Sequence, residues 1–147
     1  MKSKSYCTAA TQRPLGEMAT TSVRVRPGGT TAACDAAIAR LTGKRLVEVT
    51  HADNVHVGSA YRTTRGDEPL ILTNDAGRIR TFAAICTHEG CPLGWNAQQH
   101  LIRCPCHGSA FDVRGHVVEG PAQKPLKEFE TILERGRVLI AIPPDTV

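Results

Sequence analysis

Aromatic side chains are scarce in this sequence. Phe, Tyr and Trp supply 4% of the 147 residues, with a single Trp. Val, Ile, Leu and Ala must therefore build the core, and an apolar content of 41% suffices for one domain's worth of chain. No run of about 18 apolar residues occurs, so no transmembrane helix is encoded. The apolar stretch of a secretory signal is also missing, as are the paired arginines of a twin-arginine leader. A membrane anchor, if the chain works in a membrane complex, is expected to be missing here or supplied by another chain. Positive charge is lacking on what should be the folded body. Residues 1–45 hold eight Lys/Arg against two acids, whereas residues 46–147 hold ten against twelve. A basic stripe interleaved with aromatics, which nucleic-acid binding would need, is absent. Nucleophile-elbow and phosphate-loop motifs, internal repeats and low-complexity tracts are absent too.

Residues 1–29 are rich in Ser, Thr and Arg and read as a flexible tail or irregular wrap, with a transit segment as the alternative. "TTAACDAAIARLTGK", residues 30–44, predicts a short helix capped by a threonine and ended by Gly43. From Leu46 the pattern turns to strands. "RLVEVT" alternates, and "PLILT" and "RIRTFAAI" flank the hairpin turn "NDAG". "FDVRGHVV", with a turn near Arg114-Gly115, is followed by "EFETILE" and "RVLIAI" around Arg135-Gly136, and Pro143-Pro144 closes the last strand. The expected fold is all-β, of short antiparallel strands with cysteine loops inserted near the middle. The expected divisions are an N-terminal extension over 1–44, a β domain over 45–142 with an inserted subdomain at about 85–112, and a tail over 143–147.

What is abundant is local. "CTHEGC", residues 86–91, is echoed by "CPCHGS", residues 104–109, so two loops hold four of six cysteines and two of six histidines. Cys86-x-His88 and Cys104-x-x-His107 each offer a thiolate and an imidazole, with enough chain between them for a strand out and back. Glycine and proline mark both as loops, in which backbone amides can approach a bound sulfur. Two chemistries suit two Cys and two His: a tetrahedral structural zinc ion, or a [2Fe–2S] centre with two Cys on one iron and two His on the other. The C-x-H spacing is tighter than structural zinc sites usually show, which favours the cluster. Cys91 and Cys106 remain, one per loop, and a disulfide between them would staple the loops together; a zinc ion gives no reason for that pair.

"CTHEGCPLGWN" with "CPCHGSAFD" resembles the two cluster-binding boxes of the Rieske iron–sulfur family. The extra cysteine pair and Ser109 are similar to its high-potential branch, found in cytochrome bc and bf complexes. "WNAQQHLIRCPCHGS" and "RGHVVEGPAQKPL" look closest to bf-type subunits, and the likeness runs from about residue 45 to 142. The resemblance implies a Rieske fold of antiparallel sheets and one [2Fe–2S] cluster per chain. It implies that Cys86 and Cys104 bind the buried iron and His88 and His107 the outer one. Cys91 and Cys106 would form a disulfide, Ser109 would donate a hydrogen bond to a cluster sulfur, and Gly120-Pro121-Ala122 would be the loop covering the cluster's third side.

Replacing two thiolates by neutral imidazoles removes negative charge and raises the potential, to roughly −150 to +300 mV against about −400 mV for all-cysteine plant-type ferredoxins. A ligand imidazole also keeps an outer N–H whose acidity follows the oxidation state of the iron, the coupling that quinol oxidation requires. Two departures oppose this. Glu89 stands where bc- and bf-type proteins usually have leucine, placing a carboxylate near the tip, and Phe111 stands where a tyrosine commonly donates to sulfur. Both should lower the midpoint.

The expected function is one-electron transfer from a quinol to a cytochrome or copper protein such as plastocyanin. The chain would act beside a cytochrome b-type subunit, with catalysis belonging to the whole complex. A soluble Rieske ferredoxin serving an oxygenase, or the small subunit of a molybdenum oxidase, are the alternatives. The oxidising side of a membrane, thylakoid lumen or periplasm, is the expected place in a complex; otherwise the chain would be soluble. Cys7 and Cys34 are expected to be free, His51, His56, His100 and His116 to be surface residues, and Trp95 to pack at the base of the cluster subdomain. Glu48 and Asp53 lack a paired carboxylate.

Overall fold

The computed structural model describes residues 43–144 in full, positions 34 and 39, and the backbone of residues 6–12 and 18–24. The helix expected over 30–44 falls mostly outside these residues, although Cys34 and Ala39 are helical. The chain divides into two units, one of residues 1–48 with 130–147 and one of residues 49–129.

In the first unit, β1 (Tyr6–Gln12) and β2 (Met18–Arg24) pair antiparallel from Tyr6↔Arg24 to Gln12↔Met18. The flexible tail expected over 1–29 is thus corrected for the described residues. Threonines and Val23 give this segment strand character that its low apolar content conceals. The unit also holds most of β3 (Arg45–His51) and β11 (Glu128–Glu134), and all of β12 (Arg137–Ile142). The β11–β12 hairpin turns at Arg135-Gly136, as predicted, and Leu46 packs on Ile132, Leu139 and Ala141. Arg137 pairs with both Glu134 and Glu48, and Lys44 pairs with Glu130.

In the second unit, β4 (Ala60–Arg65), β5 (Glu68–Asp75), β6 (Arg78–Ala83) and the first two residues of β11 form one antiparallel sheet. The expected hairpin around "NDAG" forms with Asp75 opposite Arg78, and the Asn74 side chain accepts the Gly77 amide. Strand β4 lacks a strong apolar alternation, which is why the sequence pattern misses it. A smaller sheet, ordered β10-β9-β8-β7, is built from β7 (Gly94–Asn96), β8 (Leu101–Arg103), β9 (Ala110–Phe111) and β10 (Val117–Glu119). The β7–β8 pair is the strand out and back between the cysteine loops.

The two sheets of this unit share one apolar cluster. Ile71 and Phe82 from the larger sheet meet Leu93, Ile102, Phe111, Ala122 and Leu126 from the smaller sheet and its loops. Cys86 and Cys104 sit in the same cluster, so the sulfur side of the loops is continuous with the core. The all-β fold of antiparallel sheets with two inserted cysteine loops, which the sequence predicts, is what the structure shows. Phe82 is fully buried, and its ring lies where a Cβ at Gly115 would come within 2.6 Å. Truncation at Phe82→Ala should therefore remove about 3–5 kcal/mol of stability in denaturant titration. A loss under about 1 kcal/mol would mean the ring does not organise this core.

Candidate metal centre

The two cysteine loops close in the same way. In the first, the Cys86 amide donates to the Cys91 carbonyl at 2.8 Å and the Gly90 amide donates to the Cys86 carbonyl at 3.0 Å. In the second, the Cys104 amide donates to the Ser109 carbonyl at 2.8 Å and the Gly108 amide to the Cys104 carbonyl at 3.2 Å. Both glycines take positive φ, +74° and +79°, which an L side chain resists. Each loop is thus a tight arch of matching length, entered through a buried cysteine.

The arches separate their donors by depth. Cys86 and Cys104 are free thiols with 3% exposure each, inside the apolar cluster. His88 and His107 are exposed, their rings perpendicular with centroids 5.2 Å apart. Cys91 and Cys106 are joined by a disulfide, with Cα atoms 6.5 Å apart. The sulfurs of this bond and of Cys104 lie within 4.8 Å of one another. Cys104 nevertheless stays a free thiol.

This arrangement tests the two candidate groups. A single tetrahedral ion would need two thiolates and two imidazoles converging on one point, at ligand distances of about 2.0–2.3 Å. Among the described residues, no set of three donor atoms within 4.8 Å mixes cysteine with histidine; the outer set is His88, Glu89 and His107. Sulfur donors inside and nitrogen donors outside fit a binuclear centre with unlike irons. The donor set is of the Cys2His2 type, consistent with one [2Fe–2S] Rieske centre per chain.

A third segment locks the arches. The Ala122 amide donates to Ser109 Oγ at 3.2 Å, Thr87 Oγ1 donates to the Lys124 carbonyl at 2.7 Å, and the Leu126 amide donates to the Gly115 carbonyl at 2.9 Å. Gly120 passes so close to Ser109 that a Cβ there would lie 2.5 Å from the Ser109 Cα. Ser109 is fully buried, and accepting from Ala122 leaves its hydroxyl hydrogen available for donation. The sequence singled out Ser109 and the Gly-Pro-Ala segment but missed Thr87, whose partner is 37 residues away and carries no local signal.

The remaining candidates separate plainly. Glu89 is exposed, with Oε2 3.4 Å from His107 Nδ1, so its carboxylate stands among the outer donors. Phe111 is fully buried in the shared core. Trp95 packs against that core and stacks edge-on with His100. His51, His56, His100 and His116 are exposed. Cys34 corrects the expectation of a free thiol: it is buried and disulfide-bonded. A lone cysteine in a leading segment shows no pairing signal in sequence. The Cys7 side chain lies outside the described residues. No helix among the described residues is long and apolar enough to cross a membrane.

Comparison with known proteins agrees with this geometry. The Rieske [2Fe-2S] domain family matches residues 45–130, and the chain belongs to that family. It is 36% identical over 91 residues to the cytochrome b6-f complex iron-sulfur subunit of Chlorobaculum tepidum, covering 62% of this chain and 50% of that one. The chain spans about half the length of such curated relatives. Among solved structures, the cyanobacterial plasma membrane Rieske protein PetC3 from Synechocystis PCC 6803 aligns with a TM-score of 0.54 and 26% identity, over 64% of this chain and 97% of that one. The Sphingomonas yanoikuyae B1 ferredoxin aligns with a TM-score of 0.56 and 25% identity, over 66% and 98%. Electron transfer through a Rieske-type cluster is the function of this domain, and its sequence is similar to that of cytochrome b6-f complex iron-sulfur subunits.

The disulfide closes a span of 15 residues, for which the chain-entropy estimate is about 3 kcal/mol. Cys106→Ser with Cys91→Ser should lower stability by roughly that amount. Gly120→Ala should bleach the loaded protein faster on warming, because the third segment must move off Ser109. Unchanged stability in the first variant and unchanged bleaching in the second would show that neither constraint holds the arches.

Proposed function

We propose that Cys86 and Cys104 would hold the inner iron and His88 and His107 the outer iron of a Rieske cluster, and that the chain takes electrons from a quinol. The chain then serves as the iron–sulfur subunit of a cytochrome bf/bc-type complex, beside a cytochrome b-type subunit and a cytochrome or plastocyanin acceptor. The observation that carries this reading is the split donor set, buried thiols beneath exposed imidazoles. Bound there, a Cys2His2-ligated [2Fe–2S] group supplies one-electron chemistry at a higher potential than an all-cysteine one.

The residues of the chain set the conditions. The apolar cluster around Cys86 and Cys104 keeps water from the sulfur side, so hydrogen bonds to sulfur act at full strength. The Ser109 hydroxyl would supply one such bond, favouring the reduced form. His88 and His107, open to solvent, accept the quinol hydroxyl at an outer ring nitrogen and carry its proton away. The Cys91–Cys106 bond supports a place on the oxidising side of a membrane.

One observation favours the ferredoxin reading instead. Glu89, exposed beside His107, opposes both a desolvated quinol pocket and added negative charge. The chain also spans nearly all of a free-standing ferredoxin structure.

Purified protein should contain two irons and two sulfides per chain and become paramagnetic on one-electron reduction, and Cys104→Ser or His107→Ala should abolish both. Zinc in place of iron would overturn the assignment. The midpoint should fall with rising pH from near neutrality; a midpoint flat into alkaline pH would place the chain among the ferredoxins. Glu89→Gln should raise the midpoint by on the order of tens of millivolts, because one negative charge leaves the outer donors.

A further inference from the structure

The outer donors of the two arches form a set that the buried thiols do not enter. One ligand atom each of His88, Glu89 and His107 lie within 4.8 Å of one another, and all three side chains are exposed. Glu89 Oε2 is 3.4 Å from His107 Nδ1, and the two imidazole rings stand perpendicular with centroids 5.2 Å apart. Nitrogen and oxygen donors bound to one ion at about 2.0–2.2 Å lie roughly 3–4 Å from each other. Rotation of exposed side chains closes so small a gap without moving the backbone.

Bonds of the chain itself hold this trio. The amide closures of both arches, the Cys91–Cys106 disulfide, and the ties from Thr87 to Lys124 and from Ala122 to Ser109 need no metal. The trio is therefore in place before a cluster is inserted. The neighbouring sulfur group competes poorly for an ion: Cys91 and Cys106 are bonded to each other, which leaves Cys104 as its single thiol, 3% exposed. Two imidazoles and a carboxylate suit a divalent first-row transition ion, whereas Mg2+ and Ca2+ favour oxygen donors throughout.

We propose that the cluster-free chain binds one divalent first-row transition ion through His88, Glu89 and His107, on the solvent side, leaving Cys86 and Cys104 unbound. The consequence rests on the cluster reading above. A cluster would use the same two imidazoles, so ion and cluster exclude each other, and Glu89 is the ligand that belongs to the ion alone. An ion held there delays cluster insertion until it is displaced.

Co2+, whose absorption reports its donors, would be titrated by equilibrium dialysis into the full chain prepared without iron or sulfide and with its disulfide intact. One ion should bind per chain, with no thiolate-to-cobalt charge-transfer band in the near ultraviolet. Glu89→Gln should weaken uptake roughly tenfold or more, no less than the loss of a residue that merely orients a ligand. The pair Cys86→Ser with Cys104→Ser should keep the wild-type affinity. Co2+ present while iron and sulfide are added should slow the growth of cluster absorbance, and should slow it less in Glu89→Gln. The fully loaded protein should take up no Co2+ at this affinity. A charge-transfer band, or uptake indifferent to Glu89→Gln, would overturn the trio; Glu89 is exposed and outside the closures, so that variant keeps the fold. Equal uptake by loaded protein would overturn the exclusion. A chain that never acquires iron would instead sink the electron-transfer reading, and the cobalt titration would still decide the trio.

Discussion

The paired backbone closures of the two arches are the constraint on which the rest of the centre depends. A hydrogen bond from each entering cysteine amide to the carbonyl five residues on fixes where the chain turns back, and the glycine before that carbonyl lets it do so without strain. With both arches set this way, Cys86 and Cys104 point into the core and the histidines emerge on the far side. The disulfide joins one arch to the other, and the segment from Gly120 to Leu126 ties to both. Placement of these side chains thus follows from backbone bonding, with side chains supplying the cross-ties.

Depth then divides the chemistry. Two thiols in an apolar cluster would carry negative charge only with a metal or hydrogen bonds to offset desolvation. Two exposed imidazoles hold no net charge when neutral, so they need no such offset and can keep a ring nitrogen in water. Soft, buried donors and hard, open ones lie a short arch apart. A mononuclear ion would have no use for such a separation, whereas a cluster with unlike irons requires it. Glu89 and Phe111 modify this scheme from opposite ends, one adding charge at the open side, the other filling core with no donor.

Much of this was legible because the chemistry is concentrated. The six chemistry-bearing positions from Cys86 to His107 fall in two short stretches, each broken by glycine, while "RLVEVT" alternates and "EFETILE" and "RVLIAI" meet at the Arg135-Gly136 turn. What escaped notice depends on distant partners. Strands β1 and β2 are made of small polar residues whose pairing becomes visible only against β11. Strand β4 earns its place from β5 and not from its own pattern. Cys34 has no motif, and a cysteine's oxidation state is set by what reaches it in space. Thr87 likewise reads as one loop threonine among many until Lys124 arrives beside it.

The centre is completed inside a single unit. Among the described residues, the bonds and contacts that position the donors, from Phe82 beneath Gly115 to the Leu126 amide, lie between residues 49 and 129. A site closed in this way does not need a partner to form, so partners can differ while the arches stay the same. The same unit is similar both to a plasma membrane Rieske protein and to a ferredoxin. Exposed charges then fall on side chains that the scaffold does not use. Glu89 at the tip and Arg62 on β4 meet that condition: both are exposed, both are charged, and neither bears on the closures. Their signs are opposite, which sets an acidic group beside the imidazoles and a basic one on the flank. The scaffold thus fixes the donor set, and these exposed charges lie outside the bonds that hold it.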